Sequence, residues 1–150
     1  MSHTCVSNLV HVVFGTKGRR PVLTADVCTD LYPYLGGIAR KAGMKSLAIG
    51  GTEDHMHVLI SLPSSLTLAR GLQMLKGSSS RWIHETFPVR SDFEWQEGYG
   101  AFSVSHSLVE KTVDYIHRQA EHHKKRTFDE EFRAILEAQG IGYDERYLLG

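Results

Sequence analysis

At 150 residues the chain fits one domain, 1–150, large enough to bury about two thirds of its unfolded surface. Acidic and basic residues balance at 17 each, so bulk charge does not announce a nucleic-acid binder, and no apolar run approaches the roughly 20 residues that span a bilayer. The start, Met1 to Cys5, lacks the pattern of a secretory signal, and Cys5 and Cys28 have no metal or redox spacing, so a reducing cytoplasm is the expected setting.

Val6–Phe14 reads as a buried strand, rich in β-branched residues and closed by the turn Gly15-Thr16-Lys17-Gly18. Thr24–Ala42 reads as a helix bounded by a Thr24 cap and Gly43, with Pro33 and Gly36-Gly37 against its regularity. Met44–Gly51 and His55–Leu62 have the spacing of a hairpin around Thr52-Glu53-Asp54. Leu66–Thr86 is a second helix, weakened by Gly77 and the serines after it. Phe93–Ser105 is a strand region interrupted by Gly98 and Gly100. A third helix is expected over Ser107–Lys125, with Ser107 and Glu110 in capping-box register, and a last one over Phe128–Gln139. The order is βαββαβ with appended helices, an α+β class of ferredoxin-like arrangement: one antiparallel sheet with two helices on one face.

Two separated elements carry chemistry. Side chains two apart on a strand share a face roughly 6.5–7 Å apart, so His55 and His57 can converge on one cation while Met56 points into the opposite layer. On the third helix Val109, Val113, Ile116 and Ala120 form the packing stripe. Tyr115 and Gln119, spaced i, i+4, share a face beside it, which leaves the tyrosine hydroxyl at a cleft edge. A phenol beside a divalent cation that can also grip a phosphate is suited to breaking a phosphodiester. Each signal has an ordinary alternative: a solvated histidine pair, a packing tyrosine with a wet tip, core roles for Trp82 and Trp95, a solvated helix end at His122-His123. Basic residues gather at Lys17-Gly18-Arg19-Arg20 and over 122–126, and such patches can track a phosphate backbone.

The ordered combination is more specific than any single motif. His11–Arg20, Ala48–Leu59, Leu75–Trp82 and Trp95–Ser105, continued by Tyr115-Ile116-His117-Arg118-Gln119 and His122-His123, resemble the single-tyrosine transposases of the insertion-sequence-200-like family, within the His-hydrophobic-His nuclease superfamily. The resemblance spans nearly the whole chain. It implies that Tyr115 is the nucleophile, that His55, His57 and Gln119 are metal ligands, and that the metal is Mg²⁺ or Mn²⁺. Met56 stands where a branched aliphatic is more usual.

The implied activity is metal-dependent cleavage and rejoining of single-stranded DNA through a 5′-phosphotyrosine, at ends folded into hairpins, by a homodimer. Lys17, Arg19, Arg20, Lys76 and Arg81 are the expected backbone contacts, because they lie in the family-like stretches and carry the charge that phosphates need. A second reading is a domesticated, palindrome-associated protein that binds or nicks DNA hairpins but no longer mobilises its own element. A third is a ferredoxin-like metal-binding domain that does not act on DNA.

Overall fold

The computed structural model describes residues 3–148; Met1 and Ser2 of the N-terminal segment read above, with Leu149 and Gly150, lie outside them. Strands β1 (Leu9–Gly15), β2 (Lys45–Gly51), β3 (His55–Ser61) and β4 (Gly100–Val104) form one antiparallel sheet in the order β2-β3-β1-β4. Helix α1 (Ala25–Lys41) connects β1 to β2, and α2 (Leu68–Thr86) connects β3 to β4, which is the ferredoxin-like order expected.

Alternation along the strands decides what each helix covers. Val10, Val12 and Phe14 turn with Met56, Val58 and Ile60 toward α1 and α2, and Leu31, Leu35, Leu72 and Leu75 complete that core. Pro33 does not end α1, because Val27, Leu31, Leu35 and Ala39 form a buried stripe along it whose packing outweighs one lost backbone bond. Gly77 and the serines likewise leave α2 unbroken. Its buried stripe runs through Leu72, Leu75, Ser79 and Ile83, and Thr67 caps it by accepting from the Arg70 amide at 3.2 Å.

The opposite sheet face carries His11, Val13, His55, His57 and Leu59. It is covered by α3 (Val109–His117), α4 (Gln119–His122) and α5 (Phe128–Ala138). Ile116 of α3 packs on Ala48 and Leu59, while Phe128, Phe132 and Leu136 of α5 pack on Val13 and Phe102. The appended helices therefore turn an open two-layer fold into three layers. Strand β3 is covered on both faces, and it reads as a continuous run because every residue from His55 to Ile60 is buried.

The structure corrects four expectations. The first strand begins at Leu9, not Val6. Only Gly100–Val104 of the region 93–105 is a strand: Trp95 makes an isolated bridge to Thr16, and Gly98 at φ 77° takes the chain out of the ladder. The helix expected over 107–125 breaks at Arg118, whose φ of −103° and ψ of 23° end α3 before α4 begins at Gln119. The Ser107–Glu110 capping box does not form; Ser107 Oγ lies 3.2 Å from Ser105 Oγ instead.

Candidate active site

Strand β3 sets the two histidines. The Nδ1 of His55 is tied to Asp54 Oδ1 at 2.8 Å and Thr52 Oγ1 at 3.0 Å, and the Nδ1 of His57 to His11 Nε2 at 2.8 Å. Such outer partners fix the ring orientations and leave both Nε2 atoms facing one point. The break at Arg118 lets α4 bring Gln119 there: its Oε1 lies 3.0 Å from His55 Nε2. His123 follows, with Nε2 3.1 Å from Gln119 Oε1 and 3.1 Å from Glu131 Oε1. Glu131 of α5 closes the cluster, its Oε1 3.1 Å from His57 Nε2 and 3.6 Å from His55 Nε2.

The donor set fits a divalent cation. One ligand atom each from His55, His57 and Glu131 lies within 4.8 Å of the others, and all three side chains are buried. An ion placed about 2.1 Å from each would sit among them. Two imidazoles, a carboxylate and the Gln119 amide oxygen make a mixed nitrogen and oxygen set that accepts several divalent metals, so the chemistry of the donors does not select one.

Electrostatics agree with this arrangement. Burial lowers His57 to about 4, despite the opposing pull of Glu131, so its ring is neutral near pH 7 as a ligand must be. Burial and the nearness of His57 lower His11 to about 3. Burial disfavours a charge on Glu131, but hydrogen bonds with His123, His57 and Tyr115 outweigh it and hold the carboxyl well below its ordinary range. A buried carboxylate is thus kept ionised among polar partners.

Tyr115 reaches the same point from α3. Its hydroxyl donates to Glu131 Oε2, and its ring centroid lies 5.7 Å from that of His57 and 4.6 Å from the stacked ring of His122. Burial and then the Glu131 carboxylate raise the phenol above its usual range, so the resting side chain is a neutral phenol. The hydroxyl expected free at a cleft edge is therefore half-buried and engaged.

The five basic residues read as backbone contacts separate into two kinds. Lys17, Arg20 and Arg81 project outward and pair with the exposed acids Glu94, Asp92 and Glu85. Arg19 and Lys76 are committed inward. Arg19 binds Asp129 Oδ1 at 2.9 Å and Gln96 Oε1 at 2.6 Å and lies over the Phe128 ring, while Lys76 Nζ donates to the carbonyls of Gln96 and Gly98 at 2.7 Å each. Their charges tie β1, α2 and α5 to the loop before β4.

Three site residues escaped the sequence reading: Glu131, His123 and His11. Glu131 left a usable signal, because Phe128, Glu131, Phe132 and Leu136 share the buried face of α5, and a carboxylate within an apolar stripe needs a partner.

A family model described as "Transposase IS200 like" matches residues 5–119. The chain belongs to this family. The transposase of insertion sequence element IS200 from Salmonella typhimurium is 26% identical over 129 residues, covering 83% of this chain and 84% of its own. The ISDra2 transposase TnpA of Deinococcus radiodurans is 25% identical over 114 residues, 73% of this chain and 81% of its own. A solved Deinococcus radiodurans protein assigned as a transposase shares the fold with a TM-score of 0.65 at 23% identity, covering 78% of this chain and 97% of that one. A REP-associated tyrosine transposase bound to a REP hairpin shares it with a TM-score of 0.57 at 17% identity, over 77% of this chain and 70% of that one. As an IS200-like transposase, the protein is a DNA-cleaving and rejoining enzyme. Its α5, with Glu131, lies beyond the matched span.

Proposed function

We propose that this transposase, acting as one domain over 1–150, cuts and rejoins single-stranded DNA with Tyr115 as its nucleophile. The observation that carries the reading is the Tyr115 hydroxyl held beside the converging His55, His57, Gln119 and Glu131 donors. The phenol oxygen forms a bond to the scissile phosphorus as the bond from phosphorus to the 3′-oxygen breaks. The products are a 5′-phosphotyrosine and a strand ending in a 3′-hydroxyl, which carries the proton the phenol gave up. A 3′-hydroxyl then attacks the phosphotyrosine, restoring a phosphodiester and Tyr115. One phosphate ester replaces another at each step, so no nucleotide cofactor is required.

His55, His57 and Glu131, with Gln119 beside them, would hold a divalent cation, Mg²⁺ or Mn²⁺ by family resemblance. Such an ion, when bound, would neutralise phosphate charge and polarise the phosphorus for attack. The protein's own residues supply the rest. Glu131 orients the phenol by accepting its hydrogen bond, Asp54 and His11 hold the two histidine rings, and His122 stacks on the tyrosine ring.

Access to the site favours a single strand. A cleft of about 410 Å³ opens past His123 with Lys124, Lys125 and Arg126 on its lip, and another of about 270 Å³ opens past Tyr115, lined by His11, Lys111 and Thr112. An unpaired strand lying across these openings would bring its phosphates near the basic residues Lys124, Lys125 and Arg126. Hairpin recognition is part of the reading, supported by the fold shared with a hairpin-bound neighbour. Lys17, Arg20 and Arg81 are the proposed phosphate contacts, and a homodimer in the cytoplasm is the proposed assembly and setting. No helix among the described residues is long and apolar enough to cross a membrane.

The test is denaturing electrophoresis of the protein incubated with single-stranded DNA from the flanks of its own gene, with Mg²⁺ or Mn²⁺. A covalent adduct is expected, lost in Tyr115→Phe while hairpin binding is retained. An undiminished adduct in that variant would overturn the assignment.

A further inference from the structure

The two openings beside the site differ in chemistry. The larger lies past His123 at the first turn of α5, with Lys124, Lys125 and Arg126 on its lip. The smaller, about 270 Å³, lies past Tyr115 at the last turn of α5. Leu108, Lys111, Thr112 and Tyr115 are spaced i, i+3, i+4, i+7, so one stripe running from the start of α3 forms a wall of it. Ile135, Ala138 and Gln139 of α5 form another wall by the same spacing, and the buried His11 ring closes the cleft from the sheet.

The direction of attack decides which nucleotide meets which opening. In phosphoryl transfer the attacking and leaving oxygens lie roughly in line. The Tyr115 oxygen bonds to phosphorus as the bond to the 3′-oxygen breaks, and that oxygen takes up the proton. The departing 3′-oxygen therefore lies across the phosphorus from Tyr115, and the nucleotide 5′ of the cut leads away from the tyrosine. The nucleotide 3′ of the cut stays bonded to Tyr115 through its 5′-phosphate, so its base is the one within reach of the cleft that Tyr115 lines. That cleft suits a base. Its volume lies just below the roughly 300–1,000 Å³ of pockets for drug-sized molecules, room for one ring system and not a stacked run. Leu108, Ile135 and Ala138 give it apolar surface, and Thr112 and Gln139 place a hydroxyl and an amide where a base edge can meet them. Lys111, one turn before Tyr115, makes no ion pair among the described residues and leaves a charge for the adjoining phosphate.

We propose that this cleft is a subsite for the base of the first nucleotide 3′ of the cut, held unstacked between Thr112 of α3 and Ile135 of α5. The proposal rests on the reading of Tyr115 as nucleophile and adds to it a place where the protein itself grips the strand it has captured. Contact with ring faces and apolar walls offsets the stacking that the base gives up. A base seated there keeps the covalently held strand in register while one 3′-hydroxyl leaves and another arrives.

The test combines one change in the DNA with one in the full-length protein, using a single strand from the flanks of the gene whose cut is mapped from the wild-type adduct in Mn²⁺. Making the first nucleotide 3′ of the cut abasic should slow adduct formation by the wild type about tenfold or more. Ala138→Trp fills the cleft from an exposed position without removing a core side chain. It should slow cleavage of the intact strand by a similar factor and then lose no more than about twofold on the abasic strand. Thr112→Phe, from the other wall, should behave alike, with the circular dichroism spectrum and Mn²⁺ affinity of both variants unchanged. A wild-type rate that ignores the missing base would overturn the subsite. So would an equal abasic loss in the wild type and both variants, since the base would then be recognised by something other than this cleft. A wild type that forms no adduct at all would overturn the nucleophile reading and the subsite together, whereas a normal adduct indifferent to the base would overturn the subsite alone.

Discussion

Gly50 lies directly beneath Ile116: a Cβ built on Gly50 would fall 2.3 Å from the Ile116 carbonyl oxygen. Strand β2 and helix α3 are therefore in backbone contact one residue after Tyr115. Any side chain at position 50 must push the helix away, and with it Tyr115.

Gly50→Ala should therefore cost about 1–3 kcal/mol of stability through overpacking and reduce adduct formation by more than the stability loss explains. Urea unfolding and single-turnover cleavage on the same preparation check this. Wild-type cleavage in a destabilised Gly50→Ala would show that the helix position is not critical.

Much of this arrangement was legible beforehand, and the remainder was hidden for identifiable reasons. The hairpin carrying His55 and His57 follows from the spacing of two strand-like runs around the polar turn Thr52-Glu53-Asp54, and the i, i+4 pair Tyr115 and Gln119 marks a helix face. The break at Arg118 is not encoded by Gly or Pro. It arises where Gln119 and His123 take buried polar partners on another element, which local propensity cannot register. Glu131 stands in the acidic run Asp129-Glu130-Glu131, and only its place on the apolar stripe of α5 sets it apart from its neighbours. Nor was it legible that Arg19, a basic residue in a family-like loop, bonds inward to Asp129 and Gln96.

That difference between basic residues is testable. Arg19→Ala should lower stability by about 2 kcal/mol through loss of its charged hydrogen bonds to Asp129 and Gln96. Arg20→Glu with Lys17→Glu should leave the unfolding midpoint near wild type but weaken hairpin and unstructured DNA binding together, because phosphate contacts carry no sequence information. Fluorescence anisotropy over a salt series, beside thermal melts, separates the effects. Equal affinity of the wild type for hairpin and unstructured DNA across that series would contradict hairpin recognition.

His11 gives the metal-free fold a defined acid sensitivity. Its folded pKa of about 3 lies below the ordinary histidine value, so the unfolded chain takes up the proton first. The stability this neutral ring contributes is present above about pH 6.5 and is lost as pH falls from there toward 3, reaching about 2 kcal/mol of loss at pH 5. Urea unfolding in a chelator should show a shallower loss between pH 6 and 5 in His11→Gln than in wild type, by about 1.2 kcal/mol over that unit. Parallel curves would mean that His11 is charged in the folded protein.

The ligand set predicts graded metal binding. His55→Ala and His57→Ala should each abolish Mn²⁺ binding measured by calorimetry without unfolding the domain, because α3 and α5 remain anchored by Ile116, Phe128 and Phe132. Gln119→Ala should be milder, since water can take the place of a neutral amide oxygen. Metal binding unaffected by both histidine changes would place the site elsewhere.

The central claim is that Tyr115 takes the 5′ side of the cut phosphodiester, and strand labelling tests it most directly. The substrate is one flanking single strand, labelled in separate samples at its 5′ or 3′ end and incubated with protein and Mn²⁺. The account predicts that the 3′ label travels with the protein through denaturing electrophoresis and is lost from it in Tyr115→Phe. The 5′-labelled fragment should be released with a 3′-hydroxyl that a polymerase extends. A 5′ label bound to the protein, or cleavage that leaves no label on it, would contradict the account.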